Sequence, residues 1–240
     1  VNVAITSDHY PLYCDFKKPT GLEEYPKAEG DLRIGNYFLT YCKGTDGVID
    51  YDRTGRIIAK MNADIVCLQG LDKETERSEG IDQLNVLAQK ANMYDYFAKA
   101  IYYKGGEFGV GILTKEEPVS VYRYQMAGKS EMRAAMVVEY EKFVVASTNF
   151  DTDMAKRIEV LQTLETKLSA YNKPTLLLGY FNEGDLESEF FQMVKSNWNL
   201  LSADKSTEVS GKKRRLDFIV SLKSHNVNVT QADVIESLSG

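Results

Sequence analysis

An α/β fold, with two β-sheets packed face to face and helices on the outside, is predicted by three features of the sequence. Short runs rich in Val, Ile, Tyr and Phe recur with turn signals between them. Several neighbouring runs are spaced as antiparallel pairs. A few longer stretches carry helical rather than alternating periodicity.

Taken in chain order, residues 1–16 read as a strand, a Ser7-Asp8-His9 junction and a second strand from Pro11. Residues 17–31 (KKPTGLEEYPKAEGD) are polar, hold two of the five prolines and read as a linker. Residues 50–62 read as a helix with Ile57, Ile58 and Met61 on one face, and 64–68 (DIVCL) as a strand. Residues 80–91 repeat the helical pattern with Ile81, Leu84, Leu87 and Ala88. Strands follow at 109–114, 119–125, 134–140 and 143–148. The clearest helix spans 153–171, where Ile158, Leu161, Leu164, Leu168 and Tyr171 recur at helical spacing before Asn172 and Pro174. A strand at 175–178, a short helix at 186–195, and strands at 216–222 and 227–235 complete the chain.

The 240 residues fit one large domain or two small ones and can bury a sizeable core. Lys plus Arg is 29 against 35 for Asp plus Glu, a net charge of −6, and the pI near 5.2 argues against a general nucleic-acid binder. Mean hydropathy is −0.33, and no apolar run approaches the roughly 20 residues of a membrane span. A soluble chain is expected, cytoplasmic or secreted after loss of a signal peptide. Cys14, Cys42 and Cys67 are too few and scattered for a disulfide framework or a zinc site.

Three constellations could carry chemistry. The Asp8-His9 pair could hold a metal beside a proton-transfer group, or form an Asx-type turn. Residues 175–182 are an apolar strand ending in Gly179-Tyr180-Phe181-Asn182, a site edge or a plain strand exit. Lys212 to Arg215 (KKRR) could receive a phosphate or form a solvated hairpin. Asp217, in an apolar strand, is expensive to bury alone and calls for a partner. Gly105, Gly106 and Gly109 read as tight-turn chemistry rather than a phosphate loop.

Together these pieces resemble the endonuclease/exonuclease/phosphatase superfamily, the DNase I-like metal-dependent phosphoesterases, and most nearly its bacterial metal-dependent hydrolase branch. The likeness covers nearly the whole chain. Residues 32–47 (LRIGNYFLTYCKGTDG) resemble the family's opening strand and glycine-aspartate turn, and 63–72 (ADIVCLQGLD) its "DIVxLQEvD" strand. Residues 82–115 resemble its "GGxYGnaiLSk" region, and 148–151 (TNFD) stand at "THLD". Residues 178–182 (LGYFN) stand at "GDFN", 215–220 (RLDFIV) at "RIDYIF" and 7–11 (SDHYP) at "SDHYP".

The resemblance implies a four-layer sandwich of two mixed β-sheets flanked by helices, in a single domain over residues 1–240. It implies Mg²⁺ or Mn²⁺ as cofactor and phosphoester hydrolysis as the activity. It also places the SDH segment at the end of the domain, whereas here residues 1–16 open the chain. A circular permutation, a piece of a tandem array completed by strand exchange with another copy, or two segments exchanged in order would each account for this.

Four family roles fall on unsuitable residues. Phe38 stands for an asparagine supporting the metal, and Gly70 for the metal-binding glutamate. Asn149 stands for the histidine that stabilises the transition state, and Tyr180 for the aspartate that orients the nucleophilic water. By the same resemblance His9, Asp217 and Asn182 are what remains of the catalytic set. Asp8 is the residual metal-side carboxylate, and Asn149, Tyr180 and Asn182 are ligand contacts. The expectation is a degenerate member that binds a phosphorylated or other ligand, or a partner. The alternative is an active phosphodiesterase or phosphatase with a metal site rebuilt from Asp8, Asp151, Glu183 or Asp185.

Overall fold

The computed structural model describes residues 12–16, 27–209 and 212–235. Ser7, Asp8 and His9 lie outside the described residues, as do linker residues 17–26. Sheet 1 has the strand order β12-β1-β2-β3-β5-β4, from β1 (Leu12–Phe16), β2 (Leu32–Phe38), β3 (Ile65–Lys73), β4 (Tyr94–Tyr103), β5 (Gly106–Thr114) and β12 (Val229–Val234). Sheet 2 has the order β10-β11-β9-β8-β7-β6, from β6 (Ser120–Met126), β7 (Arg133–Glu139), β8 (Val144–Asn149), β9 (Thr175–Tyr180), β10 (Trp198–Leu200) and β11 (Asp217–Leu222). Both sheets are mixed. β2 and β3 run parallel, as do β8 and β9, and every other pair is antiparallel.

Each parallel pair needs a crossover, which a helix supplies. α1 (Tyr51–Met61) links β2 to β3, and α3 (Met154–Leu168) links β8 to β9. α2 (Gln83–Ala91) joins α1 on the outer face of sheet 1, where Ile57, Met61, Leu84 and Leu87 pack on Val66, Leu68 and Leu113. On sheet 2, α3 and α4 (Glu189–Asn197) bury Leu161, Leu164, Phe190 and Phe191 against Leu177 and Phe218. Side chains alternate across a strand, so the inner faces build a third core from Ile34, Cys67, Val145, Leu178 and Ile219. The layers are helices, sheet, sheet, helices.

The chain marks its helix starts with short polar side chains. Asp50, Asp82, Asp153 and Ser188 each accept a backbone N–H from three residues on. Asn62 and Asn92 close α1 and α2 in the left-handed region. α3 ends at Leu168, before the Asn172 and Pro174 expected to stop it. The periodicity does not predict β4, because this edge strand buries little beyond Ala98 and Ala100 and shows no clean alternation. All three cysteines are buried, and burial pushes the Cys42 thiol up to about 12. Among the described residues no helix is long and apolar enough to cross a membrane.

Just beyond β2 the chain makes a left-handed turn, with Thr40, Tyr41 and Cys42 at φ 45°, 48° and 62°. Such residues cost about 1–3 kcal/mol each and need outside support. Gln83 Nε2 donates to the Tyr41 carbonyl at 2.8 Å, and the Arg77 guanidinium lies 3.8 Å from the Tyr41 ring centre. Arg77 is anchored in turn on the fully buried Asp72, with Nη2 to Oδ1 at 2.8 Å. Removing the cation strands a buried carboxylate. Arg77→Leu should therefore destabilise the fold by about 3 kcal/mol in urea unfolding, and Asp72→Asn in the same chain should recover part of that loss.

Candidate functional site

The pairing in both parallel pairs ends at the same rim of the sandwich, β2 with β3 at Phe38 and Gln69, β8 with β9 at Asn149 and Tyr180. Ligand sites in open α/β sheets form outside the carboxyl ends of such strands. Along the inner face the side chains change character in steps. Ile34, Cys67, Val145, Leu178 and Ile219 form the apolar base. Two residues further toward the rim on their strands come Asn36, Gln69 and Ser147, with Asp217 facing them from β11, all essentially fully buried. Two further again come Phe38 and Asn149, with Tyr180 beside them on β9.

The middle step is one hydrogen-bonded chain across the two sheets. Thr207 Oγ1 donates to Asp217 Oδ2 at 2.7 Å, and Asn36 Nδ2 lies 3.5 Å from Asp217 Oδ1. Gln69 Nε2 donates to Asn36 Oδ1 at 2.8 Å and to Ser147 Oγ at 3.0 Å. Asp217 thus has the partner that its place in an apolar strand called for. Asn36, Gln69 and Ser147 carry a sequence signal as polar residues within apolar strands, whereas Thr207 lies in the polar segment between β10 and β11 and carries none.

At the rim the Phe38 and Tyr180 rings meet, with centroids 4.5 Å apart and planes tilted by 32°. Gly70 lies under Phe38. It is the extra residue of a bulge between Gln69 and Leu71, at φ 74°, and a Cβ there would meet Phe38 Cε2 and the Thr40 amide nitrogen, both at 3.3 Å. Asn149 pairs in register with Tyr180, is 8% exposed, and its Oδ1 has no hydrogen-bond partner. Asn182 sits at φ 56°, donating from Nδ2 to the Phe150 carbonyl at 2.9 Å and accepting Arg157 Nη1 on its own carbonyl at 3.0 Å.

Asp8 lies outside the described residues, and the other carboxylates proposed for a rebuilt site, Asp151, Glu183 and Asp185, each have partners of their own. Asp151 accepts from Arg133 Nε and from the backbone amides of Lys129 and Asp153. Burial would raise its pKa, but these donors together hold it below the usual carboxylate range. Glu183 receives Arg157 Nη2 at 3.0 Å and the amides of Gly184 and Asp185, while Asp185 accepts from the Glu187 amide. Among the described residues no three His, Cys, Asp or Glu side chains are placed to hold a metal ion. A hard divalent cation binds through oxygen ligands, and Phe38 and Gly70 offer no side-chain oxygen. The described residues therefore do not fit Mg²⁺ or Mn²⁺ in this cleft.

The basic run is structural in its second half. Arg214 makes a two-pronged pair with Glu208 at 2.8 and 2.7 Å. Arg215 bonds Ser202 and Asp204 above the Phe218 ring.

A two-sheet sandwich whose parallel strands end on a polar, aromatic-rimmed cleft belongs to the class of DNase I-like folds. The model of the Endonuclease/Exonuclease/phosphatase family matches residues 37–234, and the chain belongs to that family. The family is of phosphoesterase type and generally metal-dependent.

Among solved structures, an endonuclease/exonuclease/phosphatase from Beutenbergia cavernae DSM 12333 is similar at TM-score 0.68 and 17% identity, covering 80% of this chain and 64% of that one. This chain thus spans less than two thirds of that protein. A mannosyl-6-phosphatase of Bacteroides thetaiotaomicron VPI-5482 is similar at 0.53 and 14%, covering 72% of this chain and 76% of that one. The human Nocturnin catalytic domain, with a bound sulfate anion, is similar at 0.51 and 18%, covering 70% and 72%. At these identities the likeness shows the fold alone. No curated protein matches in sequence.

The Gly70 contact predicts a two-part energetic response. Gly70→Ala should cost about 1–3 kcal/mol in urea unfolding through its backbone angle and the Phe38 contact. Adding Phe38→Ala should remove the steric part of the Gly70→Ala penalty and leave the backbone part, which a double-mutant cycle reads directly.

Proposed function

We propose that this chain is a catalytically impaired member of its family that acts by binding a ligand or a partner rather than by turning over a phosphoester. The observation that carries the reading is the Phe38–Tyr180 ring contact above Gly70. Metal-assisted hydrolysis needs a cation at the phosphate and a nucleophile generated at neutral pH. By resemblance, the positions that would hold the cation and orient the water are Gly70 and Tyr180, and the ring of Phe38 lies where a longer side chain at 70 would extend. Loss of one catalytic group typically costs about 10²–10⁴ in rate. Losses within one unit do not add, yet losing the metal ligand, the water-orienting carboxylate and the electrophile together leaves no route to efficient turnover.

In this reading Asp217, Asn182, His9 and Asp8 are inherited, vestigial positions, and Asn149, Tyr180 and Asn182 contact what is bound. In this reading the chain is one domain in permuted order, with β1 as the strand that closes it. The position of β1 between β12 and β2 supports that order, since it neighbours the strand that ends the described chain.

The test is hydrolysis of bis(p-nitrophenyl) phosphate with Mg²⁺ and with Mn²⁺, wild type beside Asp8→Ala. We expect no metal-dependent rate above the background of the variant. A clear rate that disappears in Asp8→Ala would establish the alternative, a working phosphodiesterase with a rebuilt metal site.

A further inference from the structure

The polar chain across the cleft has a direction, and that direction specifies what the cleft can accept. Asp217, as a carboxylate, only accepts hydrogen bonds. Asn36 must therefore turn its Nδ2 toward it and its Oδ1 away. Asn36 Oδ1 must receive a donor, which is Gln69 Nε2 at 2.8 Å, and the same nitrogen also serves Ser147. Gln69 Oε1 is left over, a fully buried carbonyl oxygen with no hydrogen-bond partner. The network thus runs from Asp217 through two amides and ends at an open acceptor.

The second open acceptor lies on the facing sheet. Asn149 Oδ1 has no partner either, on a side chain more than nine-tenths buried. It stands two residues beyond Ser147, on the same face of β8. The two carbonyls also have matching neighbours. Gln69 is the register partner of Phe38 on sheet 1, and Asn149 that of Tyr180 on sheet 2. Each sheet thus brings one open carbonyl and one ring to the cleft, and the two half-buried rings touch across it.

Buried carbonyls without donors are costly. A phosphate, which brings only acceptors and negative charge, would not relieve them. Nor are the nearby guanidinium groups available to bind one. Arg133 serves Asp151, Arg157 serves Glu183, Arg214 serves Glu208 and Arg77 serves Asp72. Asp151 and Asp72 are 2% and 0% exposed, so withdrawing their arginines would strand buried anions. Two aromatic rings and two carbonyl oxygens suit a cation that donates hydrogen bonds.

We propose that this cleft binds an organic ammonium group, inverting the charge preference of a phosphoesterase site. The proposal rests on the non-catalytic reading above and gives it a ligand class. The ammonium donates to Gln69 Oε1 and Asn149 Oδ1 and lies against the rings of Phe38 and Tyr180.

The test uses the full chain and three probes that share one ring: benzylammonium, benzyl alcohol and benzyl phosphate. Binding is followed by protein-observed NMR titration, with phosphate release measured in the same samples. We expect benzylammonium to bind more tightly than benzyl alcohol, and benzyl phosphate not to bind. Tyr180→Leu should weaken benzylammonium about fivefold, the scale of one cation–π contact. Gln69→Met, which removes the open carbonyl, should weaken it further than it weakens benzyl alcohol. Circular dichroism establishes that each variant is folded, and Asn149→Leu replaces any variant that is not. Binding of benzyl phosphate in preference to the amine, no binding of the amine, or amine binding that ignores these substitutions would overturn the ligand class. Phosphate release from benzyl phosphate would instead overturn the non-catalytic reading, so the two failures are distinguishable.

Discussion

The side-chain amide of Gln69 hydrogen-bonds to Asn36 on its own sheet and to Ser147 on the facing one, at the level where the apolar sandwich gives way to polar residues. Everything at the rim depends on that bridge. Buried polar groups in a low-dielectric layer must be satisfied or they weaken the fold. Here Gln69 Nε2 ties the two sheets at Ser147 and Asn36 ties them again at Asp217, with Thr207 closing the other side. The inner core of Ile34, Cys67, Leu178 and Ile219 supplies attraction without direction. The amide chain supplies direction, and with it the placement of Phe38, Asn149 and Tyr180 two residues further along each strand.

Gly70 and Phe38 are two halves of one adjustment. A bulge in β3 puts residue 70 at a positive φ, where glycine is unstrained, and the space beyond its Cα is taken by the Phe38 ring. A side chain at 70 would crowd the ring at 38. The aromatic rim and the absence of a side chain at position 70 are therefore linked physically. The turn that follows Phe38 is also strained, at Thr40 to Cys42, and is held by Gln83 and by Arg77 on buried Asp72. Strain is tolerated where surrounding bonds over-determine it, and here those bonds come from α2 and from the end of β3.

Family membership rests on the architecture of this chain rather than on the side chains at its rim. The family model spans most of the sequence, and the sheets, crossover helices and core follow its architecture. Yet the carboxylates near the rim are taken up by neighbouring arginines and backbone amides instead of facing one another. Fold and activity are specified by different residues, so one can persist while the other changes.

Much of this was legible in the chain. Alternating Val and Ile runs located most strands, Asp50, Asp82, Asp153 and Ser188 lie at helix starts, and the family motifs singled out Phe38, Gly70, Asn149, Tyr180, Asn182 and Asp217. Such features are local, because periodicity, capping and short motifs act within a turn or a strand. β4 escaped because an edge strand buries too little to impose a pattern. Asn36, Gln69, Ser147 and Thr207 escaped because their meaning lies in partners 10 to 181 positions away. The sequence by itself determined the layers, the family and the absence of acidic side chains at positions 38, 70 and 180. Only the tertiary structure decided that the two rings meet, that Asp151 and Glu183 are already paired, and that two carbonyls remain open. Hydrogen-bond direction and steric occupancy belong to groups that only the packing of one sheet on the other brings together.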